Sequence, residues 1–196
     1  VNYLVSIQEE DGCIGKKAGG HYGYSHAIAA LSLAEAYGMA KIRSTGVAAQ
    51  RAVDYSINIH QREYGGWRYS AKQPGDLSVS GWFVMQLKSA TIAGLKVDPK
   101  GFQGAIAFLD KCTEPAGADG AYGGRASYTA GNKGYTPTMT AVGMLCRQFM
   151  GWKRDDPLLQ GGAQFLMTKL PTWSSKFYYM YYGTLVMFQM GGEHWK

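Results

Sequence analysis

The sequence predicts an all-α protein built from four helix-hairpin repeats. Two kinds of amphipathic segment alternate along the 196 residues, and glycine-rich loops separate them. Neither kind shows the strict alternation of apolar and polar residues that marks a half-buried strand. Because a hairpin of this size cannot bury its apolar face alone, we expect the repeats to stack side by side.

Segments of the first kind carry an aromatic anchor. The anchors are Tyr3, Tyr55, Phe108 and Phe165, separated by 52, 53 and 57 residues. Alanine or valine precedes the later anchors by about three residues, which places both side chains on one helix face. This spacing predicts one short amphipathic helix of this kind in each repeat.

Segments of the second kind are more apolar and carry a small residue. A large apolar residue follows it four positions later, so the two lie on the same helix face. The small residue lets a neighbouring helix approach closely, which accounts for glycine at helix positions where it costs about 1 kcal/mol relative to alanine. The pairs are Ala27 with Leu31, Gly81 with Met85, Ala141 with Leu145, and Gly183 with Met187.

Glycine, aspartate and proline predict where helices begin and end. Gly38, Gly94 and Gly151 each follow an apolar helix, and we expect each of them just past the helix end. Residues 155–157 (Asp-Asp-Pro) predict a helix start, with aspartate at the cap and proline in the first turn.

Composition favours one folded domain over residues 1–196, with 46% hydrophobic and 17% charged residues. The net charge of +6 comes from scattered basic residues, which argues against nucleic-acid binding. Cys13, Cys112 and Cys146 lie far apart and are expected to be reduced, partly buried thiols. No apolar run approaches the ~20 residues of a membrane span. The chain begins almost at once inside a repeat, so we expect a piece of a longer protein, and the cellular location stays open.

Three loops resemble a motif of a known family. Residues 8–12 (Gln-Glu-Glu-Asp-Gly) resemble the Q-x-x-D-G loop of squalene and oxidosqualene cyclases, residues 61–67 resemble it again, and residues 119–124 form a looser copy. The order of helix, glycine loop and helix is similar to that family and to protein prenyltransferase β-subunits. The chain most resembles bacterial prenyltransferase/squalene oxidase repeat proteins. This resemblance implies an α/α toroid, or a partial toroid of about four hairpins, with the apolar helices as its inner layer.

The resemblance also implies where a catalytic acid would lie. These cyclases protonate an alkene with an aspartate of a D-x-D-D-T-A motif at the start of an inner helix. Asp76 matches the first aspartate, but Ser78 and Val79 stand where the second and third would be. Asp76 is therefore the one catalytic candidate, with helix capping as its alternative role. The zinc motif of prenyltransferases has a counterpart only in residues 110–112 (Asp-Lys-Cys), with no histidine until His194, so we expect no metal and no cofactor.

Aromatic and polar residues near the inner-helix starts are the candidates for ligand binding. Aromatic faces in polyene cyclases stabilise carbocations, but aromatic residues also fill cores, and we expect core packing for most of these residues and a cavity role for one or two. His26 could contact a ligand or simply be a hydrogen-bonded residue at a helix start, while His21 and His60 are expected to be exposed. The candidates are His26, Trp67, Ser78, Trp82, Tyr122 and Tyr182.

Three functions remain open from the sequence. The first is a squalene cyclase/prenyltransferase-like domain that binds an apolar, isoprenoid-type ligand at the centre of the helix ring. The second is a non-catalytic repeat module that binds a protein partner, including an oligomer that completes the ring. The third is a carbohydrate-active α/α toroid enzyme, which needs two carboxylates facing one cavity, and only Asp76 and Asp119 offer them.

Overall fold

A computed structural model confirms that the chain is all-α. It describes residues 1–117, 123–172 and 176–195, and within those ranges there is no strand, only two isolated β-bridges. A π-helix, Tyr55–His60, continues directly from the third α-helix. The eight α-helices are α1 (Asn2–Ser6), α2 (Tyr22–Ala40), α3 (Arg43–Asp54), α4 (Leu77–Ile92), α5 (Pro99–Cys112), α6 (Pro137–Phe149), α7 (Pro157–Met167) and α8 (Phe177–Met190).

The chain divides into two compact units, Val1–Phe108 and Leu109–Lys196. In the first unit, α2 packs against both α3 and α4; in the second, α6 packs against both α7 and α8. Successive apolar helices of the predicted repeats therefore lie side by side within each unit. The ring-like arrangement and the single domain over residues 1–196 stay predictions.

Most of the predicted helix boundaries are confirmed. Asp156 caps α7, and its side chain accepts hydrogen bonds from the first-turn backbone, including Leu158 N at 2.9 Å. Gly94 and Gly151 follow α4 and α6 with φ of 82° and 102°, the left-handed region that glycine adopts without strain.

The prediction for Gly38 is wrong, because α2 continues to Ala40. The left-handed residue at this helix end is Lys41, with φ of 52°. Its ammonium donates to the carbonyl of Ala93 at 2.6 Å, which fixes the helix end to the residue that follows α4. Gly38 instead lies within the helix and faces Ala93, and a Cβ there would make an ordinary contact of 3.4 Å with the Cβ of Ala93.

The aromatic anchors differ in burial. Tyr55 and Phe108 are buried, as expected of anchors, and Phe165 is half-buried. Tyr3 is 71% exposed, so it anchors α1 to nothing in the described part of the chain. The three cysteine side chains are buried, as predicted, and burial raises the pKa of the Cys146 thiol to about 12.

Two glutamines tie the glycine-rich loops of the first unit to the helices that follow. Each side-chain amide donates to two backbone carbonyls, one four and one forty residues later in the chain. The distal carbonyls belong to α3 and α5, so each glutamine joins its loop to the next helix of the first kind. The bonds run from Gln8 to Gly12 (3.1 Å) and Ala48 (2.9 Å), and from Gln61 to Gly65 (3.0 Å) and Gly101 (2.9 Å).

Glycine is required where these loops touch the next helix. Gly12 has φ of 93°, and a Cβ there would overlap the carbonyl oxygen of Arg51 in α3. Gly124 has φ of 94°, and a Cβ there would overlap the carbonyl oxygen of Leu158 in α7. A side chain at either position would push the loop away from its helix.

We expect Gln61→Leu to lower the free energy of unfolding by about 2–3 kcal/mol, because the carbonyls of Gly65 and Gly101 lose their donor. Urea unfolding measures this. The control is Gln103→Leu, an exposed glutamine of α5, which should change stability by less than about 0.5 kcal/mol. Equal losses for the two variants would contradict the bridging role.

Candidate functional site

Most of the predicted site residues lie in the first unit. Those residues are His26, Trp67, Asp76, Ser78 and Trp82. The first four are buried and Trp82 is half-buried. Tyr182 belongs to α8 in the second unit, while Tyr122, like Asp119, lies outside the described residues.

Asp76 is the N-cap residue of α4. Its side chain is fully buried and accepts a hydrogen bond from Val79 N at 2.8 Å. The guanidinium of Arg68 lies 3.7 Å from its second carboxylate oxygen. These contacts assign Asp76 to helix capping and to an ion pair with Arg68, the capping alternative of the sequence analysis.

Thr136 holds the same position in the second unit that Asp76 holds in the first. It caps α6 through Met139 N at 3.2 Å, and its own backbone N–H donates to the loop carbonyl of Ala126 at 3.1 Å. Asp76 N donates in the same way to the carbonyl of Trp67 at 2.9 Å. Since threonine cannot supply a proton to a substrate, the shared feature of the two positions is capping.

His26 is fully buried and completely engaged in hydrogen bonds. Its Nδ1 accepts from Ile14 N at 3.1 Å, and its Nε2 lies 2.9 Å from Ser56 Oγ. A backbone N–H can only donate, so Nδ1 carries no proton and Nε2–H donates to the serine. Burial, and then the neighbouring His60, lower the pKa of His26 to about 3. The imidazole is therefore neutral, as its bond to Ile14 requires.

Two other residues perform the task of His26 elsewhere in the chain. In the first three predicted repeats, the residue just before the small one accepts a backbone N–H from the glycine-rich loop. This comparison assigns His26 to loop attachment and favours the structural alternative for it. The bonds are Ile14 N to His26 Nδ1 (3.1 Å), Trp67 N to Ser80 Oγ (2.9 Å) and Ala126 N to Thr140 Oγ1 (2.9 Å).

Trp67 lies in the core of the first unit. Its ring stacks on Phe83 with centroids 5.0 Å apart and planes inclined by 5°, and its Nε1 donates to the carbonyl of Ser56 at 2.8 Å. Both the face and the polar atom of the indole are thus occupied by the protein. These contacts assign Trp67 to core packing.

The expectation that His60 is exposed is wrong. The π-helix turns this residue inward, where its Nε2 donates to the carbonyl of Arg68 at 2.8 Å and its Nδ1 has no hydrogen-bond partner. Burial lowers the pKa of His60 to about 4, although the bond to Arg68 acts in the opposite direction. His21, also expected to be exposed, is confirmed as exposed.

Ser78 is the remaining polar candidate in the first unit. Its hydroxyl lies 2.6 Å from the hydroxyl of Tyr24, which connects the first turns of α4 and α2. The Tyr24 ring lies 5.9 Å from Tyr69, whose ring also faces the guanidinium of Arg68 at 5.1 Å. The starts of α2 and α4 therefore carry a polar and aromatic surface with Trp82 half-buried nearby in α4.

Tyr182 is part of the core of the second unit. Its side chain is fully buried, and its ring contacts those of Tyr178 and Tyr181 at centroid distances of 4.8 and 5.2 Å. Burial raises the pKa of its hydroxyl far above the ordinary value. Tyr182 therefore stabilises the packing of α8 and is closed to a ligand in this conformation.

The second unit contains an apolar groove that the sequence reasoning missed. Its volume is about 390 Å³, and it lies between α8, the end of α7 and the last described residues. Tyr179 shapes one wall, because its hydroxyl donates to the carbonyl of Lys169 at 2.7 Å. The lining residues are Leu166, Met167, Leu170, Pro171, Tyr179, Met180, Gly183, Thr184, Met187, His194 and Trp195.

Gly183 shows how this groove differs from the rest of the chain. The three residues aligned with it, Ala27, Gly81 and Ala141, are buried, whereas Gly183 is half-buried and lines open space. The face that a neighbour covers in the other apolar helices is thus uncovered in α8. The absence of charged residues from α8 is the sequence signal that could have indicated this.

Among the described residues, no group of three or more histidine, cysteine, aspartate or glutamate side chains is placed to hold a metal ion. Asp110, the first residue of the zinc-like triplet, accepts from the guanidinium of Arg147 at 2.9 Å, and Cys112 is buried. Within the same part of the chain, no helix combines the length and apolar character needed to cross a membrane.

We expect the stability of the protein to fall on mild acidification. His26 and His60 take up protons near pH 6.5 when unfolded but only near pH 3 and 4 when folded. The free energy of unfolding should therefore hold its full value above about pH 6.5 and fall by about 1.4 kcal/mol per pH unit for each histidine below it. Urea unfolding at pH 7, 6 and 5 measures the slope.

His26→Asn should remove about half of this pH dependence, and the exposed His21→Asn should leave it unchanged. A free energy of unfolding that stays constant for the unsubstituted protein between pH 7 and 5 would contradict the assignment of two neutral, buried imidazoles.

We expect Asp76→Thr to stay within about 1 kcal/mol of the unsubstituted protein, because Thr136 provides the same cap in α6. Asp76→Ala should lose about 2 kcal/mol, since Val79 N then has no acceptor. Thermal unfolding of the two variants checks this, and equal losses would show that capping is not what Asp76 contributes.

Comparison with known proteins identifies no family for this chain. No protein-family model matches it, and the searches of curated proteins and of solved structures found no significant match.

Proposed function

We propose that this chain is a squalene cyclase/prenyltransferase-like helical repeat domain that binds an apolar, isoprenoid-type ligand. The observation that carries the proposal is the groove of about 390 Å³ along α8. In this proposal the ligand lies against α8 and not at the starts of α2 and α4, where His26, Trp67 and Asp76 are engaged by the protein itself.

Repeated hydrogen bonds support the family part of the proposal. Gln8 and Gln61 bond carbonyls at the same two offsets, and each begins a loop that resembles the cyclase motif. His26, Ser80 and Thr140 each accept the loop N–H at the corresponding position. Such equivalent bonds are expected of a chain built from one repeated unit.

The chemistry of the groove favours an apolar ligand. Its volume lies within the range of about 300–1,000 Å³ that is typical of small-molecule sites. Met167, Met180 and Met187 contribute flexible thioether side chains, which adapt to a branched hydrocarbon more easily than rigid side chains do. Thr184 and His194 are polar groups that could orient a terminal hydroxyl.

The same lining argues for binding without acid catalysis. Among the described residues that line the groove, none is an aspartate, glutamate, lysine or arginine. An enzyme of the carbohydrate-active kind needs two carboxylates about 5–10 Å apart, and the groove offers none. Asp76, the one catalytic candidate, is a capping residue with an ion pair to Arg68. Binding is therefore the function that these side chains support best.

We expect the protein to bind Nile red, a neutral apolar dye, and farnesol to displace it. Gly183→Leu should weaken dye binding about tenfold, because the new side chain fills the groove and removes roughly 1.4 kcal/mol of apolar contact. The substitution fits the helix, since a Cβ at this position makes only an ordinary contact of 3.4 Å with Tyr179. Dye fluorescence measures the affinity.

Ala40→Leu is the matched control, because it adds the same side-chain atoms at an exposed position at the end of α2. Its dye affinity should equal that of the unsubstituted protein. Displacement by farnesol that is equally strong in Gly183→Leu would place the ligand elsewhere and overturn the proposal.

A further inference from the structure

A second cavity lies on the surface of the first unit, with a volume of about 380 Å³. It is formed by the end of the π-helix, the loop that begins at Gln61, the side chain of Lys72 and the first two turns of α5. We call it the Arg62 cavity. All of its lining residues belong to the first unit, whereas those of the groove along α8 belong to the second. The cavity and the groove therefore share no residue.

The charged lining of the Arg62 cavity is mostly basic. Arg62, Lys72 and Lys100 line it together with one acidic residue, Glu63. Lys100 also forms an exposed ion pair with Asp98 at 3.3 Å, which compensates part of its charge. In the described part of the chain, the Arg62 side chain makes no hydrogen bond and no ion pair. Its guanidinium therefore offers a planar fork of donors to a carboxylate or a phosphate.

Lys72 is fixed at the wall of the cavity. Its ammonium donates to the carbonyls of Asn58 at 3.0 Å and Gln61 at 2.7 Å, and its backbone N–H donates to the carbonyl of His60 at 2.9 Å. These two side-chain bonds use two of the three N–H donors of an ammonium, so a third can meet a ligand. Because the side chain is already held, it loses little conformational freedom when an anion binds.

Tyr64 stands at the cavity in a strained conformation. Its φ is 49°, which is an outlier for a bulky residue, and its side chain is 77% exposed. Burial therefore does not compensate the strain. In the corresponding loop of the preceding repeat, the left-handed residue is Gly12, with φ of 93°. Gly65 holds the place of Gly12 in this loop, but the left-handed φ belongs to Tyr64. The strain points to a role for the exposed ring.

The preceding repeat has a cavity at the equivalent place, and it serves as an internal comparison. Three residues line both cavities at a constant interval of fifty-three positions. One is the bridging glutamine, and the other two change from valine to a polar or charged residue. Repeat geometry therefore forms the cavity, and the polar lining belongs to this copy alone. The pairs are Gln8 with Gln61, Val5 with Asn58, and Val47 with Lys100.

We propose that the Arg62 cavity binds the oxyanion group, carboxylate or phosphate, of a small aromatic anion. Arg62 supplies a bidentate contact, Lys72 supplies a fixed ammonium, and the ring of the ligand stacks on Tyr64. The volume of the cavity lies within the range of about 300–1,000 Å³ that is typical of small-molecule sites. This proposal goes beyond the binding of an apolar ligand along α8 and does not depend on it.

Isothermal titration calorimetry at low salt tests the proposal, with phenyl phosphate as the probe. Inorganic phosphate should bind about fivefold more weakly, because it has no ring to stack on Tyr64. Arg62→Gln should weaken phenyl phosphate binding about tenfold, since the bidentate contact is lost. Arg43→Gln is the matched control, because it removes the same charge from an exposed position at the equivalent cavity of the preceding repeat, and its affinity should be unchanged.

Tyr64→Asn separates a binding role of the ring from a structural one. Asparagine adopts the left-handed region more readily than tyrosine does, so the midpoint of urea unfolding should not fall. The affinity for phenyl phosphate should fall about fivefold, to that for inorganic phosphate, because stacking is lost. Benzoate, used as a second probe, identifies the oxyanion: tighter binding of benzoate indicates a carboxylate ligand, and tighter binding of phenyl phosphate indicates a phosphate ligand.

Three results would overturn the proposal. The first is an unsubstituted protein that binds neither phenyl phosphate nor benzoate. The second is an equal loss of affinity in Arg62→Gln and Arg43→Gln, which would mean that binding follows net charge. The third is equal affinity for phenyl phosphate and inorganic phosphate. Circular dichroism of each variant confirms that it is folded, and Nile red binding reports on the groove separately.

Discussion

The structure depends on how the glycine-rich loops are held between helices. The later residues of the two loops in the first unit are buried, so their backbone N–H and C=O groups need partners inside the protein. A glutamine at each of the two loops of the first unit supplies donors, and a histidine or serine at the start of an apolar helix supplies an acceptor. The glycines at positions 12 and 124 let the loops approach α3 and α7 closely enough for contact. These attachments hold the loops of the first three predicted repeats against the helices beside them.

This constraint explains why the residues that suggested a catalytic site form hydrogen bonds that maintain the fold. A buried histidine that accepts from a backbone N–H must stay neutral, and a buried aspartate at a helix start is engaged by the backbone N–H that it caps. His26 and Asp76 meet these two conditions, and Asp76 also forms an ion pair with Arg68, so the protein itself engages both side chains. Ser80, Thr136 and Thr140 do the same tasks with hydroxyl groups alone. The choice of residue type at such positions is set by the loop and the helix end.

The all-α class and the positions of the helices could be predicted from local patterns, because the pairing of small and large residues at helical spacing needs no knowledge of neighbours. The same holds for the ends at Gly94, Gly151 and Asp156, where one residue determines the local backbone. The predictions are wrong where contacts between residues far apart in the sequence determine the local structure. Gly38 stays helical because Lys41 bonds Ala93, fifty-two residues away. His60 is buried because a π-helix changes the face that it occupies.

The apolar groove could not be predicted for a different reason. It exists because no neighbouring element covers one face of α8. Gly183 has the same sequence signature as Ala27, Gly81 and Ala141, and only the packing separates the open position from the buried ones. A surface of this type gains free energy when it is covered, at roughly 25 cal/mol for each Å² of apolar area removed from water. The uncharged α8 therefore has an unfilled face along the groove, while the polar groups at the starts of α2 and α4 already have hydrogen-bond partners. For this reason the binding of an apolar ligand in this chain is expected along α8, and the polar residues that first suggest chemistry are expected to maintain the fold.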